Sequence, residues 1–240
     1  EKNRIFGSIL QNIEFKYRNK IYGHFTCSEK DDIIILRIAN EKEVKIERNF
    51  RISKEKNEPS CLIIIDNRPN IQRIGIENNI HSFGSTDMIR NILLRGFQLA
   101  LKSHRLFITM DKEYQPKEFW DICNKYKNKV TKVVFTYQYP NLGRAHQEMV
   151  EMLKNSSKST DSEETQISYE NKNGLQLSED DEVIQGCVKD SSEGGAPIKM
   201  RIKGLSKEIK TGKTEKVIRI DEIDIENKNV DEIKTLFRNI

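Results

Sequence analysis

A chain of 240 residues with 36% apolar and 32% charged content is long enough for one large domain or two modest ones. Its formal charge of +4, from 41 basic and 37 acidic residues, is too small to argue for a polyanion by itself, so the placement of charge decides more than its sum. Apolar runs such as 33–36 and 62–65 are of strand length and far short of a bilayer span, so no membrane partner is expected.

The four cysteines, Cys27, Cys61, Cys123 and Cys187, form no CxxC pair. They are expected to be small apolar residues in a reducing, cytoplasmic setting rather than zinc ligands, and neither a metal site nor a cofactor is expected. The start Glu1-Lys2-Asn3-Arg4 lacks an initiator Met and opens no apolar signal segment, so a trimmed start without a signal peptide is expected. The abundance of Ile, Lys and Asn resembles products of AT-rich bacterial genomes.

Residues 4–58 read as an antiparallel meander or small barrel. Ile13, Phe15 and Tyr17 alternate, 33–38 is an apolar run, and polar turn clusters fall at 28–32 and 40–43. A hairpin is predicted next, from the buried-type strand 62–65 through the turn 66–70 to the return strand 71–77. Ser85 or Thr86 caps the strongest helix, in which Ile89, Ile92, Leu93, Phe97, Ala100 and Leu101 share a face. Gly96 within that stripe marks a place where another backbone packs closely.

Then come a predicted strand at 106–110, a helix at 117–126, a strand at 130–139 and a helix at 141–154 with Leu142, Ala145, Met149, Met152 and Leu153 inward. The strand–helix–strand piece 106–139 predicts a parallel crossover. Residues 155–165 are polar and read as a linker or mobile loop between a domain at 1–154 and a module at 166–240. That module reads β-α-β-β-α, with strand-like stretches at 167–169 and 175–177, Ser178 capping a helix, two strands, and a last helix at 230–238. The fold class expected is α+β: an N-terminal antiparallel β module, a central mixed α/β layer and a C-terminal module with a basic hairpin.

Residues 199–219 carry Lys199, Arg201, Lys203, Lys207, Lys210, Lys213, Lys216 and Arg219 against Glu208 and Glu215. Lys199, Arg201 and Lys203 alternate with Ile198, Met200 and Ile202, giving a basic face backed by an apolar one. Such a face suits a phosphate backbone, and each neutralised phosphate would steepen the salt dependence. A bulge near Asp221-Glu222 would keep Ile218, Ile220, Ile223 and Ile225 on one side, with the acidic half of the hairpin beyond it. Thr211-Gly212-Lys213-Thr214 imitates the end of a P-loop, but position 207 is Lys where that motif needs Gly, and no helix is expected to follow.

Asp66, Asn67, Arg68 and Glu77 form a second polar candidate, because paired carboxylates at strand ends can hold Mg²⁺ for a nuclease. The alternative is a turn in which Asp66 and Asn67 bond their own backbone and Arg68 pairs with a carboxylate. His146 and Glu148 form an H-x-E string without the P-C-x-x-C partner of a zinc deaminase. His24, His81 and His104 are scattered. Phe135, Tyr137 and Tyr139 share a strand face, which fits base stacking or, more simply, packing against Phe119 and Trp120. The leading expectation is a non-enzymatic protein that contacts DNA or RNA through the basic hairpin. The alternatives are a protein-binding subunit of a bacterial defence or toxin–antitoxin complex, and a metal-dependent nuclease.

Overall fold

Arg18-Asn19 and Asp31-Asp32 hold φ values of 47°, 62°, 54° and 64°. Two successive left-handed residues are what a two-residue hairpin turn demands, and Asn and Asp tolerate that backbone. These turns close β1 (Phe15–Tyr17) on β2 (Lys20–Tyr22), and β3 (His24–Lys30) on β4 (Ile33–Ala39). The structure is a computed structural model describing residues 2–69, 71–138, 147–162, 164–193, 195–217 and 235, with the backbone alone at 138 and 147–150.

The chain divides into two compact units, residues 1–109 with 220–240, and residues 110–219. The polar stretch 155–165, where the sequence places a division, lies inside the second unit. The described residues form an α+β protein of five helices and twelve strands, paired antiparallel throughout. No parallel crossover occurs among them.

In the first unit a four-stranded sheet has the order β3-β4-β7-β8, with β7 (Ser60–Asp66) and β8 (Arg73–Ile76) forming the predicted hairpin. The continuous apolar runs of β4 and β7 are buried on both faces. Ile34, Leu36, Ile38, Ile63 and Ile65 share one face, while Ile33, Ile35, Leu62 and Ile64 cluster beside Cys27 on the other. Each such side chain contributes about 1.5–3 kcal/mol by leaving water. A separate hairpin of β5 (Lys42–Arg48) and β6 (Arg51–Asn57) pairs only with itself.

Helix α2 (Thr86–Lys102) begins where Ser85 Oγ accepts the Met88 amide at 3.3 Å, and it buries Ile89, Ile92, Leu93, Phe97 and Leu101. Its end corrects the reading of 106–110 as a strand. Arg105 adopts φ 54° and the Leu106 amide reaches back to the Leu101 carbonyl at 3.3 Å. Leu106 therefore belongs to the helix stop, the residues after it join no sheet, and Phe107 is 80% exposed. The first residues also differ from the β-rich expectation: α1 (Lys2–Leu10) is a helix. Tertiary contacts hold it, Phe6 lying edge-on to Phe97 at 5.0 Å and Asn3 bonding Asn67.

Gly96 has a close neighbour, but it is first a side-chain ring and only then the Glu14 backbone. A Cβ there would lie 2.7 Å from Cδ1 of Phe15, a fully buried ring held edge-on by Phe97 at 5.9 Å and His24 at 5.1 Å. Helix propensity alone favours Ala over Gly by about 1 kcal/mol, but overpacking costs about 1–3 kcal/mol. Gly96→Ala is therefore expected to lower the urea midpoint. A raised midpoint would mean that the Phe15 ring yields and would overturn this packing argument.

The second unit holds α3 (Lys117–Lys125), β9 (Val130–Gln138), α4 (Gln147–Thr160), β10 (Glu164–Glu170), α5 (Glu182–Ser192), β11 (Lys199–Ile202) and β12 (Ile209–Lys210). The strand order is β10-β9-β11-β12. Phe119, Cys123, Val133, Phe135, Tyr137, Ile184, Cys187, Val188, Met200 and Ile202 form its core. Val130 and Val133 have opposite parity, yet both are buried. The register shifts between Arg201 and Ile202, which face Lys132 and Val130, so Thr131 is the extra residue of a bulge that returns Val130 inward.

Several expectations change here. Residues 155–160 continue α4, and their hydroxyls turn back on it: Thr160 Oγ1 donates to Ser156 O at 2.7 Å and Ser159 Oγ to the same oxygen at 2.9 Å. Leu153 anchors this helix, whereas Met152 is 60% exposed rather than inward. Residues 175–177 form no strand, although the Leu175 amide donates to the Val130 carbonyl of β9 at 2.7 Å and Leu175 and Leu177 pack on the core. The cap of α5 is Asp181, whose Oδ1 accepts the Val183 and Ile184 amides at 3.0 and 3.1 Å; Ser178 serves the turn before it. The proposed bulge at 221–222, the helix at 230–238 and residues 139–146 lie outside the described residues, Thr235 apart.

Candidate nucleic-acid interface

Residues directly opposite on paired strands point the same way. That rule sorts the β10-β9-β11-β12 sheet into an apolar face and a polar face. Val133 and Phe135 of β9 meet Tyr169 and Ile167 of β10 on the core side. The alternate residues form two rows on the other side. Ser168, Val134, Lys199 and Lys210 follow one another across the four strands, and Glu170, Lys132 and Arg201 form the next row.

Within this face Lys132 pairs with Glu170 at 3.0 Å and Arg201 with Glu208 at 3.4 Å. Lys199 and Lys210 face each other directly, and neither joins an ion pair among the described residues. Two like charges in register destabilise a strand pair by a few tenths of a kcal/mol to about 1 kcal/mol. Lys203, Lys207 and Lys213 are exposed and equally without an ion pair among the described residues. Lys207, Lys210 and Lys213 line one open depression of about 480 Å³, with Glu208 and Ile209 beside them.

The eight basic residues singled out by sequence thus separate. Lys199, Arg201 and Lys210 lie on the sheet face, and Lys203, Lys207 and Lys213 lie in the loops that flank β12. Lys216 stands apart: its ammonium is 3.9 Å from Glu113, and its amide donates to the Glu113 carbonyl at 2.8 Å. Arg219 lies outside the described residues. The hairpin differs from the expected two strands joined by a basic arm at 204–214, since β11 returns on the two-residue β12 inside that arm. Beyond it, Glu215 makes a bridge to Tyr114. Lys132 was missed, although the alternation of Lys132, Val134 and Thr136 with Val133, Phe135 and Tyr137 carried the signal.

The P-loop-like turn has another occupant. The amides of Lys213 and Thr214 donate to the Glu118 carboxylate at 3.1 and 3.3 Å, Gly212 takes φ 80°, and Thr211 Oγ1 accepts the Ile198 amide at 2.9 Å. Its amides are spent on the chain's own carboxylate, as the motif's failed spacing implied.

The second polar candidate does not converge. Asp66 is 0% exposed, and its carboxylate accepts from Arg68 Nε at 2.9 Å, Arg68 Nη2 at 2.6 Å and the Arg68 amide at 3.1 Å. That pairing holds the Arg68 guanidinium charged even more firmly than usual. Asn67 exchanges bonds with Asn3, donating to its carbonyl at 2.7 Å and accepting at 2.6 Å. Glu77 sits at the far end of β7, where its carboxylate accepts the Leu62 amide at 2.8 Å. Four strand residues, roughly 13 Å, separate Leu62 from Asp66. The alternative turn holds in part: Asp66 bonds the local backbone and Arg68 pairs with a carboxylate, whereas Asn67 bonds Asn3 rather than its own turn.

The four cysteines are free. Burial pushes the Cys61 and Cys123 thiols up to about 12, so neither is a nucleophile at neutral pH. Among the described residues no group of three His, Cys, Asp or Glu side chains could hold a metal ion. Burial also lowers the pKa of His24, which packs on Phe15. Phe135 and Tyr137 lie in the core, so they are packing residues and not a stacking platform. His146 and Tyr139 lie outside the described residues, as does the Glu148 side chain. Among the described residues no helix is long and apolar enough to cross a membrane.

No protein-family model, no curated protein and no solved structure matches this chain.

Proposed function

We propose that this is a non-enzymatic nucleic-acid-binding protein that holds a phosphate backbone against the polar face of the β10-β9-β11-β12 sheet. The reading includes a cytoplasmic setting and a bacterial accessory role. One observation carries it. Lys199 and Lys210 are held in register on a face that also presents Lys132 and Arg201, and Lys203, Lys207 and Lys213 continue the charge into the flanking loops. Strand pairing fixes like charges together at a cost, and an external polyanion relieves that cost.

The apolar side of the sheet is occupied by the core, so the aromatic side chains there are not offered to bases. Binding through phosphates is expected to depend little on sequence. Fluorescence anisotropy of a labelled mixed-sequence oligonucleotide, titrated at several salt concentrations, tests this. Binding in the micromolar range at about 50 mM salt is expected, with a log–log salt slope of about −4 to −6, as for roughly five to seven phosphate contacts. No binding to single-stranded or duplex DNA or RNA at that salt overturns the reading and favours a protein partner.

A further inference from the structure

The β5–β6 hairpin in the first unit carries three costs that its own fold does not offset. All of β6 is exposed, as is most of β5, and neither strand joins another sheet. Its turn puts Asn49 at φ 53° and Phe50 at φ 59°. Asn accepts a left-handed backbone, whereas a bulky aromatic there is strained. The Phe50 ring is 97% exposed. Finally, Arg48 faces Arg51 and Lys45 faces Lys54 directly across the ladder, two like-charged pairs in one short hairpin.

The carboxylates nearby do not cancel that charge. Residues 42–57 hold six cations (Lys42, Lys45, Arg48, Arg51, Lys54, Lys56) against Glu43, Glu47 and Glu55. Lys54 pairs with Glu43 at 3.0 Å and Lys56 with Glu41 at 2.8 Å. Lys45, Arg48 and Arg51 join no ion pair among the described residues. The tip therefore presents an unshielded aromatic ring beside two arginines.

We infer that this tip binds single-stranded nucleic acid, with Phe50 stacking on an unpaired base and Arg48 and Arg51 holding the flanking phosphates. The occupant follows from charge and shape. An acidic peptide would satisfy the arginines but gives the exposed ring nothing flat to cover it. An unpaired base with its phosphates meets both demands. A membrane surface would want more apolar area than the Phe50 ring and the exposed Ile52 side chain supply. The inference rests on the nucleic-acid reading above, but it invokes different residues, so the variants below tell failure of the tip from failure of that reading.

The test uses the full chain and a single-stranded mixed-sequence oligonucleotide carrying one fluorescent base analogue, with the blunt duplex of the same sequence as control. Phe50→Ala is expected to weaken single-strand binding about tenfold and to abolish the stacking-dependent change in base-analogue fluorescence, with duplex binding unchanged. Phe50→Trp restores both signals. Arg48→Glu with Arg51→Glu weakens single strand and duplex alike and flattens the salt slope by about 1–2. If wild type binds but Phe50→Ala stays within about twofold of it on single strands, or loses affinity equally on duplex, the stacking role is overturned and the sheet-face reading stands. If wild type binds no nucleic acid, both are overturned.

Discussion

Changing Lys207, Lys210 and Lys213 together to Glu is expected to reduce oligonucleotide affinity by about a hundredfold at low salt and to flatten the log–log salt slope by about 2–3. The size follows from the site. All three ammonium groups are exposed, line one depression and join no ion pair among the described residues, so each can meet a phosphate without first breaking a bond. Reversal also adds repulsion where attraction was. Folding should not suffer. Exposed substitutions away from packed features usually move stability by less than about 0.5 kcal/mol. Reversal at Lys210 also turns its like-charged register with Lys199 into an opposite-charge one, which offsets the like charge that Lys213→Glu sets beside Glu118, so the thermal midpoint should stay near that of the wild type. The expected signature is loss of binding without loss of stability. Unchanged affinity and slope would place the polyanion elsewhere, and a parallel fall in thermal midpoint would make the binding loss a folding effect.

The features legible in sequence were those written locally. The Ser85 cap, the turn after Asp66 and the parity of 199–203 each depend on a few adjacent residues, and each stands in the structure. What escaped was set at a distance. Helix α1 is held by Asn67 and Phe97, far along the chain, and nothing in its own pattern outweighs the strand-rich stretch that follows. The apolar residues at 106–110 look like a strand because the left-handed stop at Arg105 is carried by an ordinary residue and not by Gly. The hydroxyl-rich end of α4 reads as linker because Ser and Thr lack apolar periodicity, and only their bonds to carbonyls one turn back reveal a helix. The candidate interface was half legible. The cations of β11 and its loop lie close together in sequence, whereas Lys132 joins them only through the β9–β11 register. The β5–β6 tip escapes a sequence reading because Asn49-Phe50 is a poor turn sequence, and only the backbone shows that the turn falls there.

The Asp66–Arg68 pair separates a supporting role from a chemical one. Asp66 is fully buried at the end of β7, while the Arg68 side chain keeps 19% exposure. Arg68→Ala removes the guanidinium bonds and leaves a buried carboxylate facing the Arg68 amide. Uncompensated buried charges cost about 3–5 kcal/mol, and the pair is expected to show that range as a fall in urea midpoint. Asp66→Asn keeps the shape and removes the charge. Arg68 can then turn to water, so the cost should be smaller, about 1–2 kcal/mol. The double variant Asp66→Asn with Arg68→Ala should cost less than the sum, because the orphaned charge that dominates the Arg68→Ala cost is gone. A cost below about 1 kcal/mol for Arg68→Ala would mean that Asp66 finds water or another partner. That result would reopen it as a carboxylate with chemistry to do. The order of the two single costs, more than their size, identifies which group the fold cannot leave alone, and the geometry assigns that place to the buried carboxylate.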